Sequence, residues 1–495
     1  DVLVEFDRSG SLPTTHESQG SDMGLFGGLM GWEADDERLP DSPWLLQEAG
    51  VRVRIETVDA DDEHPNTYRL TLRGGGRQHF VRAISTGGGM MEVLNIDDFE
   101  VSMFGDYHVT LFWTSNARAI QLDLETKCSL DVEYRIHRTQ RSELLEVRSR
   151  SFAHAAAISL VRHDSILEVQ VLAPVLPVSS FPGMRVPFST AAELLRVDAG
   201  RGLSLTRHAI DFEMQRSGLS EEAVIEKMTG IVRILRKSIQ QGIAGTKYDD
   251  RVLPPQTPSF QKELQAGRLL DGGALNKMVL YVSALMEVKS SMGVIVAAPT
   301  AGACAALPGA VIAMAEALGK DERAMAEALL ASGLIGVFIA SRWTFAAEVG
   351  GCQSEGGSAA AMAAAALVTM AGGTLSQALA AASMAMQSMI GLICDPVGNR
   401  VEVPCLGKNV MAATNALACA NMAIANFQQV IPFDEVVETA MRVARQMPRE
   451  LRCTNLGGLS ITPTSQAIEA RLAEKKACGG GCGCEVGNAA ISLGK

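Results

Sequence analysis

The chain has 495 residues, 47% of them hydrophobic and 20% charged, and a net charge of −12. That composition is ordinary for a globular protein and excludes wholesale disorder. The acidic balance disfavours gripping nucleic acid or an anionic membrane, since either needs a concentrated basic surface. At this length two or three domains are expected, one of them large enough for a sizeable core.

In chain order, the run Val2 to Phe6 predicts a strand, and the short β-rich runs Val51 to Val58, Tyr68 to Leu72 and His79 to Ser85 predict three more, with a helix after Ser21. A small α/β domain over residues 1–98 follows. Residues 99–178 are again strand-rich, clearest at Val109 to Thr114 and Leu167 to Leu172, and predict a second small α/β or β-rich domain. Near Pro187 the character changes to helix after helix, rich in Ala, Met and Leu, and predicts an all-α domain over 187–476. Within it Ser220 is an expected N-cap ahead of Glu221 and Glu222, and residues 245–260, with three prolines, read as a loop. A flexible Cys/Gly-rich tail is expected over 477–495, after a helix ending near Lys476. The fold class is therefore α+β and multidomain.

The stretches Met292 to Leu318 and Ser358 to Ile393 are apolar but built from Ala, Gly, Ser and Met, which fits tightly packed helices better than membrane spans. No charged-then-apolar leader precedes the first strand, so the expectation is a cytoplasmic chain, with residues upstream of Asp1 not excluded. Ten cysteines in that setting point to reduced thiols and to metal or redox chemistry rather than disulfides. Only Cys128 lies in the first 300 residues, whereas all eight histidines fall at or before His208. Any imidazole serving the helical domain must come from elsewhere in the chain.

Three segments of that domain join glycine, small polar residues and a cysteine: EVGGCQSEGGS from Glu348, CDPVGN from Cys394 and VPCLGKN from Val403. Glycine lets backbone approach a bulky inorganic group, and its amide can donate to cluster sulfides. Spacing alone favours reading Cys352, Cys394 and Cys405 as small buried hydrophobes over ligands.

The surrounding motifs decide between these. APTAGACAALPG from Ala298, AEVGGCQSEGGSAAAMAAA from Ala347, CDPVGNRVEVPC from Cys394 and LGGLSITPTS from Leu456 closely resemble the α-domain of the iron-sulfur-dependent L-serine dehydratases. Upstream, GSLPTTHESQGSD from Gly10, HPNT from His64 and STGGG from Ser85 resemble the β-domain of that family. The resemblance implies a 4Fe-4S cluster on Cys352, Cys394 and Cys405 in the all-α domain, with one iron free of a cysteine from this trio. It implies conversion of L-serine to pyruvate and ammonia without pyridoxal phosphate, and a homo-oligomer with a small amino acid as its partner. Removing water from serine means taking a poorly acidic α-proton and expelling hydroxide, and a Lewis acid meets the second demand.

Substrate-orienting candidates are Thr300 and Gly302 in the PTAG turn, Ser85, Gly87 and Gly88 in STGGG, and Asn66 in HPNT, although PTAG and HPNT also read as plain turns. The general base is unassigned among His16, His64, Lys289 and Glu348. Cys482 or Cys484 in the tail is a further candidate ligand, as the C-terminal cysteine of some relatives caps the open iron.

Two departures stand out. A Ser-Ser-Ser-His-Thr segment that members carry upstream of the first strand is absent, and Gln19 stands where many members have histidine. Residues 99–178 occupy the place of an ACT domain but lack its Asp-x-Pro-Gly effector turn, leaving an ACT-like domain or a linker. Competing readings are a same-design lyase acting on L-threonine, L-cysteine or another β-substituted amino acid, a non-catalytic amino-acid sensor, and a pyridoxal-phosphate dehydratase. No lysine sits in a convincing setting for the last.

Overall fold

The computed structural model describes residues 1–87, 89–127, 132–149, 163–175 and 186–479. Gly88, Cys128, Cys482 and Cys484 lie outside the described residues.

The N-terminal sheet has six strands in the order β2-β1-β3-β4-β5-β6: β1 (Val2–Asp7), β2 (Val53–Val58), β3 (Thr67–Gly74), β4 (Arg77–Gly87), β5 (Met90–Ile96) and β6 (Phe99–Met103). β1 runs parallel to β2 and antiparallel to β3, the connection to β2 passing through helices Ser21–Leu29 and Ser42–Glu48. Alternation along β1 sends Val2, Val4 and Phe6 into a core shared with Leu12, Leu25 and Leu29. Because β6 completes this sheet, the first unit reaches Met103, past the expected boundary at residue 98.

A second, four-stranded antiparallel sheet has the order β10-β7-β9-β8, from β7 (His108–Thr114), β8 (Val132–Arg138), β9 (Glu143–Ser149) and β10 (Ile166–Leu172). Period-two alternation divides its apolar residues. Phe112 and Leu145 meet the helix Ala117–Lys127, whereas Leu111 and Leu144 pack on Phe99, Val101 and Met103 of β6. The middle region is thus a folded sheet with its own core, not an extended linker.

From Ala191 onward the chain is helical. Ser220 caps Glu221–Ala244 as expected, its side chain accepting from the Ala223 amide. The 245–260 loop is shorter than expected: helix Thr257–Gln265 begins inside it, with Pro258 in the first turn, where no amide is needed. At the centre lies helix Ser358–Met370, buried at every residue but Thr369 and surrounded by Ala306–Ala317, Glu322–Ala340, Leu375–Gln387 and Cys405–Ile424. A helix apolar all round must be enclosed, and its alanines allow close approach. Gly242 does the same elsewhere, since a Cβ there would lie 2.3 Å from the Ala284 carbonyl oxygen. Among the described residues only Glu322–Ala340 is long and apolar enough to cross a membrane, and 67% of that stretch is buried in this core. The last helix, Pro463–Gly479, runs past Lys476.

Candidate active site

The N-terminal domain meets the helical body along the motifs singled out in the sequence. The Thr344 hydroxyl donates to the Thr86 carbonyl at 3.0 Å, and Arg449 donates to the Ser9 carbonyl at 2.8 Å. Gly87, at φ +87°, lies so close to the helical body that a Cβ would stand 2.9 Å from the Ala346 nitrogen. Only glycine suits both that conformation and that gap. This seam brings Asn66 of HPNT to Glu348, and Thr86 and Gly87 to Thr344 and Ala346 just ahead of AEVGGC.

Behind the seam lie the cysteines. Cys352 follows the short helix Ala347–Gly350 and opens a widened π turn, Gln353–Gly357, of the kind often found at functional sites. Gln353 anchors that turn, its amide donating to the Leu392 carbonyl at 2.9 Å and its side-chain oxygen accepting from the Gly391 amide at 2.9 Å. Cys394 lies just beyond, and Cys405 begins helix Cys405–Ile424. All three are buried, at 6%, 4% and 6% exposure. The side chains of Cys352 and Cys394 are in hydrogen-bond contact, which together with Cys453 and burial holds the Cys394 thiol well above its usual range. Burial, then the nearby charge of Cys352, raises the Cys405 thiol. The structure therefore brings the three expected cysteines to one region.

It adds a fourth that the sequence reading missed. Cys453 is 3% exposed and packs with Cys352, Cys394 and Ala347. Its only sequence signal is its position in RCTN, just ahead of LGGLSITPTS. That motif is tied to CDPVGN by the Leu459 amide, which donates to the Asp395 carboxylate at 3.0 Å.

One lysine serves the thiols directly. Lys408, one turn into its helix from Cys405, donates to the Ile393 carbonyl at 2.7 Å and to Asp395 at 2.8 Å, with Cys352 Sγ 3.7 Å away. Burial opposes its charge, but Cys352 and Asp395 outweigh burial and hold the ammonium above the ordinary lysine range.

Two glutamates face the same region, each part-buried and so still open to a small molecule. Loss of water and the nearby charge of Glu348 push Glu355 up to about 7. It accepts from the Thr300 hydroxyl at 2.6 Å, and Gly302 sits where a Cβ would lie 2.8 Å from its carboxylate. Glu348, raised by burial, accepts from the Asn66 side chain, whose oxygen accepts from Ser11 at 2.6 Å. Asn66 in turn holds the Ser85 amide through its carbonyl, at 3.1 Å. Glu355 was missed as a candidate base, although it lies three residues after Cys352 in the same motif.

The other candidates fall differently. Lys289 is part-buried beside Val401, its ammonium 3.4 Å from that carbonyl. Burial lowers its pKa against the pull of Cys405 and Glu355. His64 borders the seam, but its Nδ1 accepts from the Asn66 amide at 3.2 Å and burial lowers its pKa. His16 pairs with Asp22 at 2.8 Å and lines a cavity of about 200 Å³ with Asn399, Arg400 and Glu469.

Thiols massed beside carboxylates with raised proton affinity, at the junction of a sheet domain and a helical body, define an enzyme-type site. A family model described as serine dehydratase alpha chain matches residues 200–460, and the chain belongs to that family. It is 34% identical over 285 residues to the probable L-serine dehydratase alpha chain of Bacillus subtilis, covering 58% of this chain and 95% of that one. The L-serine dehydratase alpha chain of Peptoniphilus asaccharolyticus is 35% identical, over 57% of this chain and 96% of its own. An L-serine dehydratase of Streptomyces coelicolor is 32% identical, over 56% of this chain and 62% of its own.

Proposed function

We propose that the chain is an L-serine dehydratase, a lyase that converts L-serine to pyruvate and ammonia with the help of a 4Fe-4S cluster. The observation that carries this reading is the meeting of buried cysteine thiols with two part-buried glutamates at the domain seam, in a member of the serine dehydratase family.

The residues fit such a group. Soft thiolates are the preferred ligands of iron-sulfur clusters. Crowding alone keeps Cys394 protonated, so the thiols ionise together only when a positive centre compensates them. Among the described residues no three His, Cys, Asp or Glu side chains are arranged around a single metal ion, and the grouping rests on the contacts among Cys352, Cys394 and Cys453 and the Lys408 ammonium beside Cys352. Cys352, Cys394 and Cys405 would hold the cluster, with Lys408 balancing part of the negative charge. When bound, it supplies Lewis acidity toward the substrate hydroxyl.

The chain's own residues do the rest. Glu355 takes the α-proton of serine: an affinity near neutral pH makes a carboxylate an effective base, and Thr300 and the absent Cβ at Gly302 fix its position. Asn66 orients Glu348 and holds the Ser85 amide, and Gly87 sets the close approach of the N-terminal domain to Ala346. The aminoacrylate released after loss of water tautomerises and hydrolyses without further help from the protein.

Turnover of L-serine, L-threonine and L-cysteine by anaerobically prepared protein tests the assignment. Pyruvate and ammonia from serine, at the highest kcat/KM of the three, are expected. A higher kcat/KM for 2-oxobutyrate or sulfide release moves the substrate to threonine or cysteine, and tight serine binding without turnover makes the chain a sensor.

A further inference from the structure

Cys453 is not one of the three cysteines in the glycine loops, yet it is the one most directly joined to Cys394. The Cys453 amide donates to the Cys394 carbonyl at 3.2 Å, and the Cys394 amide donates to the Leu451 carbonyl at 2.9 Å. Cys394 and Arg452 form an isolated parallel bridge. Two segments far apart in sequence are thereby locked together with both thiols facing inward and in contact.

The backbone at Cys453 is unusual. Its φ of +59° lies in the left-handed region, which a cysteine rarely adopts and which glycine or asparagine fills more easily. Such a residue persists where its surroundings hold it, here through the pairing with the Cys394 segment. At its end group, the side-chain amide of Gln19 donates to Cys453 Sγ at 3.8 Å, reaching across the domain seam. A cysteine serving only as a small hydrophobe would meet carbon on all sides, whereas this one meets a thiol and an amide donor. The residue that departs from the family's histidine, Gln19, is thus the partner of the cysteine that spacing did not single out.

We propose that Cys453 is a fourth thiolate ligand of the metal site, holding the iron that Cys352, Cys394 and Cys405 leave without a cysteine. This rests on the iron-sulfur reading above. Four cysteines are the ordinary complement of a 4Fe-4S cluster, so the resting site is fully capped from within the folded body. Substrate access would then require Cys453 to leave that iron, with the Gln19 amide in place to hold its sulfur.

The test uses the full chain, purified without oxygen, as wild type, Cys453→Ala, Cys453→Ser and, as a control of equal chemistry, Cys419→Ala on helix Cys405–Ile424. Iron and acid-labile sulfide, the electron paramagnetic resonance spectrum and the half-life of the visible absorption in air are measured. Cys453→Ala is expected to lose one iron per chain, to show a three-iron signal on brief exposure to air, and to bleach at least about tenfold faster, in line with the support such residues give metal sites. Cys453→Ser, with an oxygen ligand in place of sulfur, restores the fourth iron with a shifted spectrum, and Cys419→Ala matches wild type. Wild-type iron content, spectrum and air half-life in Cys453→Ala would overturn the proposal. Wild-type protein without iron would instead overturn the reading beneath it.

Discussion

Two regions of this molecule place glutamates inside the protein and treat them in opposite ways. In the middle sheet, Glu146 has no exposure and accepts from His137 at 2.8 Å and from Arg148 at 2.5 Å. Burial works against its charge, but the two partners outweigh it and hold the carboxyl below the usual range. At the domain seam, Glu355 and Glu348 have no cation at hydrogen-bond distance among the described residues, only Thr300 and Asn66, and both are raised. A carboxylate that has a fixed cation is spent on structure, whereas one held near neutrality is free to exchange a proton with a ligand.

Variants at the two places should therefore fail differently. The largest effect is expected from Cys352→Ala, which removes the thiol between Cys394 and Lys408 and should abolish both iron retention and pyruvate formation while the circular dichroism of the helical body is kept. Glu355→Gln comes next, with kcat lower by about 10²–10⁴-fold, the usual contribution of a general base, and iron content unchanged. The pH profile sharpens that result. A base whose pKa is raised to about 7 is inactive while protonated, so wild-type kcat/KM should rise with pH through about 7 and then level, and the residual activity of Glu355→Gln should lack that limb.

Gly87→Ala probes the seam itself. A Cβ at φ +87°, directed at Ala346, pushes the N-terminal domain off the helical body, and a roughly tenfold to hundredfold loss of kcat/KM is expected from misplaced site residues. The smallest effect on turnover belongs to Glu146→Leu. It leaves Arg148 buried without its carboxylate and should destabilise the middle sheet by about 3–5 kcal/mol in urea unfolding, with kcat of the folded protein unchanged. Its linkage to pH has a definite sign. The folded pKa of Glu146 lies below the ordinary 4.5, so its stabilisation is present above that value and is lost as pH falls through the folded value. The middle sheet of wild type should therefore loosen in acid well below the pH at which turnover is lost.

Strands β1 to β4, β7 and β10 and the three glycine-bounded cysteine loops were legible in the sequence because each is a local pattern: period-two alternation in β1 and β7, and a cysteine set among glycines at residues 350–352. Cys453 was not, because its partnership with Cys394 depends on a backbone pairing between segments some sixty residues apart and on a left-handed φ that no local signal announces. Glu355 escaped for a different reason. An acidic residue in a polar loop reads as solvated until the Thr300 turn folds over it and removes its water. The pairing of His16 with Asp22 was equally hidden, because only the folded chain shows which partner its ring takes. Packing brings the motif segments together, and the variants above test the roles within them.

The most direct test of the central claim is a joint measurement on anaerobically purified chain: iron, acid-labile sulfide and the initial rate of pyruvate formation from L-serine, followed during stepwise removal of iron by a chelator. The iron-sulfur lyase account predicts iron and sulfide in equal amounts, four of each per chain, and a rate that falls in proportion to the cluster remaining. Undiminished pyruvate formation from a chain without iron would contradict it.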